Sequence, residues 1–144
     1  MVRVDVVAQK LADARKRLRT ADEIFGRPVE EFLADEPARD LACFYLLLVV
    51  QDSIDIAAHW VADADWGTPE DVGAAFDILR DKGVIDRELA RGMRAATGLR
   101  HRIAHGYGSL DPERMWTEYR AGNVVLREFL ATIAKEAGIG SSDS

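Results

Sequence analysis

Apolar residues recur along this chain at helical spacing, and no stretch alternates as a strand would. Val4, Val7, Leu11, Ala14 and Leu18 follow one another in steps of three and four, which predicts a helix over 2–24. Gly26 and Pro28 mark its end, and a short helical turn fits 29–33. A second long helix is predicted over 37–64. Its first half carries the run LACFYLLLVV over 41–50 and is apolar on nearly every side. Such a helix belongs at the centre of a bundle or partly in a subunit interface. Thr68-Pro69-Glu70-Asp71 reads as an N-cap, a first-turn proline and two acids that complement the dipole. A third helix is expected from there to about Lys82, with Gly83 as its stop. Asp86 is the candidate N-cap of a fourth, which carries Leu89, Met93, Ala96, Leu99 and Ile103 and ends at Gly106. Asp111-Pro112-Glu113 opens a fifth, with Trp116, Tyr119, Val124, Leu126, Phe129, Leu130 and Ile133 as its buried face and Gly138 as its end. The expected architecture is all-α: a bundle of about five helices in one domain over 1–138, with 139–144 as a tail expected to fray.

Composition narrows this only a little. A chain of 144 residues has room for one core, and 48% hydrophobic with 31% charged residues excludes a wholly disordered chain. One cysteine, Cys43, excludes an internal disulfide framework and a cysteine-rich zinc module; lying in the apolar run, it reads as a core residue. The run over 41–50 falls short of the roughly 20 residues that span a bilayer, and Gln51, Asp52 and Asp55 follow it. It reads as a core helix rather than a membrane span. No apolar leader precedes it, and the expected location is cytoplasmic.

Charge changes the picture more. The net charge is −6, but it is unevenly placed. Residues 21–79 carry two basic and fourteen acidic residues, a surface that would suit a basic partner. Residues 1–20 and 80–102 are each net +4. The second basic stretch (Arg80, Lys82, Arg87, Arg91, Arg94, Arg100, Arg102) is either a solvated helix face or a phosphate-binding strip.

That stretch runs into the densest group of reactive side chains, Arg100-His101-Arg102-Ile103-Ala104-His105-Gly106-Tyr107. Three readings compete. His101 and His105, four apart, share a helix face and could ligate a metal, but a third ligand is needed and no His-Glu-x-x-His pattern is present. The cations could simply complement a helix C-terminus. Or Arg100 and His105 could cleave a phosphodiester, histidine moving a proton near neutral pH and arginine holding the phosphate. On an ideal helix Arg100 and His105 lie about 140° apart. They converge only if the last turn unwinds or a second copy completes the site.

Arg100, four residues, His105, one residue, Tyr107 resembles the Arg-x(4)-His-x-Tyr signature of HepT-like ribonuclease toxins of the HEPN superfamily. The flanks resemble the family too: Gly98-Leu99 before the motif, Leu110-Asp111-Pro112-Glu113 after it, Leu47, Gln51, Asp52, Asp55 and His59 in the second long helix, and Gly83-Val84-Ile85. The likeness covers residues 2–137. One departure is His101, where asparagine is commonest. The resemblance implies an all-α homodimer, paired through the second and fourth predicted helices, whose two motifs face one cleft. It implies a metal-independent endoribonuclease, without cofactor, acting on tRNA or mRNA. It further implies a partner antitoxin, an MNT-type nucleotidyltransferase that uses ATP to attach AMP to the motif tyrosine. Carried over, Arg100 and His105 are catalytic and Tyr107 is the modified residue. Arg91, Arg94, His101 and Arg102 then become candidate RNA contacts. Asp52 and Asp55 are either polar residues where a helix leaves the core or supports for Arg100 or His105, with Asp52 preferred for that role. His59 reads as a structural or surface residue. The alternative in another class is a non-catalytic HEPN subunit that serves the nucleotidyltransferase.

Overall fold

The computed structural model describes residues 2–106 and 110–139. Six helices follow one another: α1 (Val4–Phe25), α2 (Val29–Ala34), α3 (Glu36–Asp63), α4 (Ala74–Asp81), α5 (Arg87–Gly106) and α6 (Pro112–Glu136). No strand occurs among the described residues. The all-α bundle is as expected, with the turn over 29–33 forming a short helix of its own. The tail over 140–144 and the motif tyrosine, Tyr107, lie outside the described residues.

α3 is the axis of the molecule and touches each of the other five helices. This is why its sequence shows no single apolar face: Ala42, Cys43, Leu46, Val49, Val50, Ile56 and Trp60 are buried on different sides of it. By length and composition α3 could cross a membrane, yet 56% of its most apolar window is buried inside the protein, as in a core helix. α1 packs along it through the stripe Val7, Leu11, Ala14, Leu18 and Ala21. Fully buried leucines such as Leu11 and Leu46 each contribute about 1.5–3 kcal/mol relative to exposure.

α6 closes the bundle and clamps the end of α1. The Tyr119 ring stacks on Phe25 at 4.1 Å, and its hydroxyl donates to Asp22, which Arg127 also meets. Burial, and then Asp22 beside it, push the Tyr119 phenol far above its usual range. Trp116 Nε1 donates to the Arg27 carbonyl at 2.9 Å and Arg120 Nη1 to the Phe25 carbonyl at 3.1 Å. α5 and α6 approach closely at Gly92, where a Cβ would stand 2.8 Å from Val125 Cγ1.

Three helix starts are capped by aspartate: Asp35 accepts from Ala38 N at 3.1 Å, Asp86 from Leu89 N at 2.7 Å and Asp111 from Glu113 N at 3.1 Å. Gly83 follows α4 at φ +79°, the left-handed conformation that only glycine adopts without strain. Two expectations are corrected. The helix expected from Thr68 starts at Ala74 instead, because the chain first turns through Asp65 (φ +58°) and Gly67 (φ +108°). Asp71, not Thr68, then makes the local bond, accepting from Gly73 N at 3.0 Å. Val124 is 52% exposed rather than buried, since it lies on the side of α6 opposite Leu126.

Candidate functional site

The motif occupies the last two turns of α5. The helix stays helical through Gly106, so its last turn does not unwind to bring Arg100 and His105 together. Ile103 is buried and Leu99 half-buried on the core side, which fixes the rotation of the helix about its axis. Arg100 is thereby half-buried against α3, while His101 and His105 face outward. The two imidazoles lie beside each other, tilted by 47°, with ring centroids 4.5 Å apart. Among the described residues no group of three His, Cys, Asp or Glu side chains is arranged to hold a metal ion.

Arg100 Nε donates to Gln51 Oε1 at 2.7 Å. The Gln51 amide is held in turn, its Nε2 donating to Asp55 Oδ1 at 2.9 Å. The other Asp55 oxygen meets Lys10 Nζ at 3.3 Å. A polar chain thus crosses three helices, from α1 through α3 to α5. Asp52 takes no part in it. Its buried carboxylate pairs with Arg17 Nη1 at 2.9 Å. Desolvation holds the Asp52 carboxyl above its usual range, although Arg17 and Lys10 pull it down. The preference for Asp52 as the acid beside Arg100 is therefore corrected. Asp55 is the acid joined to Arg100, through Gln51, because the rotation of α3 turns Asp52 toward α1. Sequence reasoning did not assign Gln51, Lys10 or Arg17 to the site. The four-residue step from Gln51 to Asp55 was a visible signal, but the pairing to α1 depends on helix packing.

The other basic candidates fall in different settings. Arg94 is tied to Asp77 and lies 3.7 Å from Asp71, and its stem covers Gly73. The bond to Asp77 raises the pKa of its guanidinium. Arg80 meets Asp77 and Asp81. Arg91 is exposed in an open cleft of about 610 Å³ between α4 and α5, together with Arg87, Arg80, Arg94, Asp77 and Asp81. Arg102 reaches Glu118 of α6 at 3.6 Å across an exposed surface. His59 is exposed, as expected of a surface residue. Cys43 is buried, and burial pushes its thiol up to about 11, so it stays protonated and inert at neutral pH.

One described chain therefore presents an oriented guanidinium on one flank of α5 and an exposed histidine pair on the other. The first can bind an anion and the second can move protons.

Residues 14–133 match the profile of a family described as "Ribonuclease HepT-like". A candidate RNase of Archaeoglobus fulgidus is 26% identical over 132 residues, covering 91% of this chain and 87% of that protein. The mRNA nuclease HepT of Shewanella oneidensis is 23% identical over 107 residues, 74% of this chain and 80% of the other. Among solved structures, the tri-AMPylated HEPN toxin of Shewanella oneidensis, in complex with its MNT antitoxin, superposes with a TM-score of 0.81 at 20% identity. The match covers 91% of this chain and 98% of that one.

Proposed function

The chain belongs to the HepT-like ribonuclease family, and we propose that it is the metal-independent endoribonuclease toxin of a toxin–antitoxin pair acting on tRNA or mRNA in the cytoplasm. The observation that carries this reading is the setting of Arg100. Its guanidinium is half-buried, yet its Nε–H donates to the oxygen of a neutral amide, so its positive charge remains available to a phosphate. In the proposed reaction His105 takes the proton of the RNA 2′-hydroxyl or returns one to the leaving oxygen. The 2′-oxygen attacks the adjacent phosphorus while Arg100 stabilises the charge on the pentavalent phosphate. The P–O5′ bond breaks, leaving a 2′,3′-cyclic phosphate and a 5′-hydroxyl.

Arg100 and His105 lie on opposite flanks of a continuous helix, and this supports a site completed between two copies. An exposed apolar stripe on α3 supports the same arrangement. Leu41 and Phe44 are 41% and 52% exposed, and Leu48 and Gln51 follow at helical spacing. A partner seated on that stripe would border Arg100. Arg91 and Arg102, the latter shared with Glu118, are exposed cations placed to follow an RNA backbone, with His101 beside His105. Silencing is assigned to a partner nucleotidyltransferase, which transfers AMP from ATP to the Tyr107 hydroxyl. A phosphate two residues from His105 would repel RNA and fill the cleft. The complex of the structural relative with an MNT antitoxin supports this assignment.

The test is purified protein without a partner, incubated with total RNA in EDTA beside His105→Ala. Cleavage by the parent alone supports the reading, and so does a cyclic phosphate at the new end. Cleavage by neither, from protein shown by mass to carry no AMP, would sink it and leave a non-catalytic binding subunit.

A further inference from the structure

The contact between Gln51 and Arg100 has a direction that the chemistry at both ends enforces. A primary amide offers one accepting oxygen and one donating NH₂ group. An ionised carboxylate only accepts, so Asp55 must meet the Gln51 NH₂, as it does at 2.9 Å. The amide oxygen is thereby turned to Arg100 Nε, at 2.7 Å. Asp55 is itself braced by Lys10 at its other oxygen. We propose that Gln51 is the positioning residue for Arg100, its amide oriented by Asp55 and Lys10, so that the guanidinium is fixed at Nε and its two terminal nitrogens, which meet no acceptor among the described residues, are left to a phosphate. This rests on the ribonuclease reading above.

The choice of an amide over an acid matters. A carboxylate against Arg100 would orient it equally well. It would also neutralise the guanidinium and compete with the phosphate for the same donors. The neutral amide orients without neutralising. Asp55 is kept one side chain further away, where it acts on the amide and not on the guanidinium. The chain also draws on α1, α3 and α5 together, so Arg100 is referenced to the rigid centre of the bundle and not only to the end of its own helix.

The test is a double-mutant cycle between Gln51→Leu and Arg100→Ala, read as kcat and KM on a defined RNA oligonucleotide, with thermal melting of each variant. Gln51→Leu is expected to lower kcat about 10- to 100-fold, the usual scale for a lost orienting partner, with KM changed less than about threefold. In the Arg100→Ala background it should add nothing. Asp55→Asn, which lets the amide sit either way round, should lose activity by a smaller factor. Gln51→Glu should raise KM, because the acid competes with the phosphate. A nitrogen-15 spectrum gives a readout independent of turnover. The Arg100 Nε–H signal should be protected from exchange in the parent and lose that protection in Gln51→Leu. A loss that recurs in full in the Arg100→Ala background would overturn the positioning role and leave the ribonuclease reading standing. An Arg100→Ala protein as active as the parent would instead sink the catalytic assignment of Arg100, and the role of Gln51 with it.

Discussion

The two halves of α5 look alike in sequence and differ in structure. Arg87, Arg91 and Arg94 belong to the first half and Arg100 and Arg102 to the second, all within one basic stretch. In the first half, α4 supplies a carboxylate to Arg94: Asp77 holds both Arg94 and its own neighbour Arg80, while Arg87 and Arg91 meet no carboxylate among the described residues. In the second half Arg100 meets an amide, Arg102 reaches Glu118 at 3.6 Å across an exposed surface, and the histidines face outward. A guanidinium held by a close carboxylate, like that of Arg94, serves packing. One paired with an amide keeps its charge for a ligand. Counting charges along the chain measures neither, because the partner decides what each charge can do. On α3 Asp52 is matched by an arginine, whereas Asp55 gives one oxygen to Lys10 and the other to an amide.

The strongest way to break the comparison is to remove chemistry from the second half only. His105→Ala is expected to lower RNA cleavage about 100- to 10,000-fold, with helicity and melting unchanged, since the imidazole is exposed. Arg94→Gln, in the first half, should leave the cleavage rate of a short oligonucleotide near that of the parent. Equal losses from the two would mean that the halves do not differ in function. Gel or mass analysis of the cleaved RNA checks both.

A smaller effect probes the ion pair on α3. Arg17→Met leaves the Asp52 carboxylate buried without its guanidinium and should cost on the order of 2 kcal/mol at neutral pH. The pH dependence has a definite sign. The folded-state pKa of Asp52 is raised, mainly by desolvation. Its contribution to stability is therefore full below the ordinary carboxylate range and is lost as pH rises through the folded value. Removing Arg17 moves that folded value further up, so the deficit of the variant should narrow at about pH 4.5 relative to pH 7. Urea unfolding at the two pH values measures it. A deficit that is the same at both would show that Asp52 is not the group responsible.

Much of the bundle was legible because its signals are local. Helical spacing, the caps Asp86 and Asp111, and the stop at Gly83 all act within one turn, and each falls where expected. The start of α4 was not legible, because Thr68-Pro69-Glu70-Asp71 carries the local signals of a helix start, yet the helix begins at Ala74 with no side-chain cap. The chain turns through Asp65 and Gly67 before it. In the site, Arg100 and His105 were legible as residue types at a spacing. Their separation onto opposite flanks was also foreseen, from the wheel. The partner of Arg100 was not, because it depends on how α3 is rotated against α5. Leu46, Val50 and Ile103 are buried in the common core and Leu99 packs against it, and no local pattern in either helix reports how those faces are turned on each other.

The smallest expected effect sharpens the first half of the comparison from within. Arg91 and Arg94 are one turn apart beside the same cleft, and both were candidate RNA contacts. Both are exposed, but Arg94 is already met by Asp77 and Asp71, while Arg91 makes no ion pair among the described residues. Binding of a single-stranded RNA to the His105→Ala protein, titrated against salt, separates them. Each phosphate neutralised contributes about 0.7 to the slope of log affinity against log salt concentration. Arg91→Gln should reduce the slope by about that amount, whereas Arg94→Gln should change it less. Asp77→Asn, which releases Arg80 and Arg94 from a shared carboxylate, should make it steeper. If Arg94→Gln flattened the slope as much as Arg91→Gln, a guanidinium already paired with aspartate would be as available to RNA as an unpaired one. The distinction drawn between the two halves of α5 would then rest on the histidines alone.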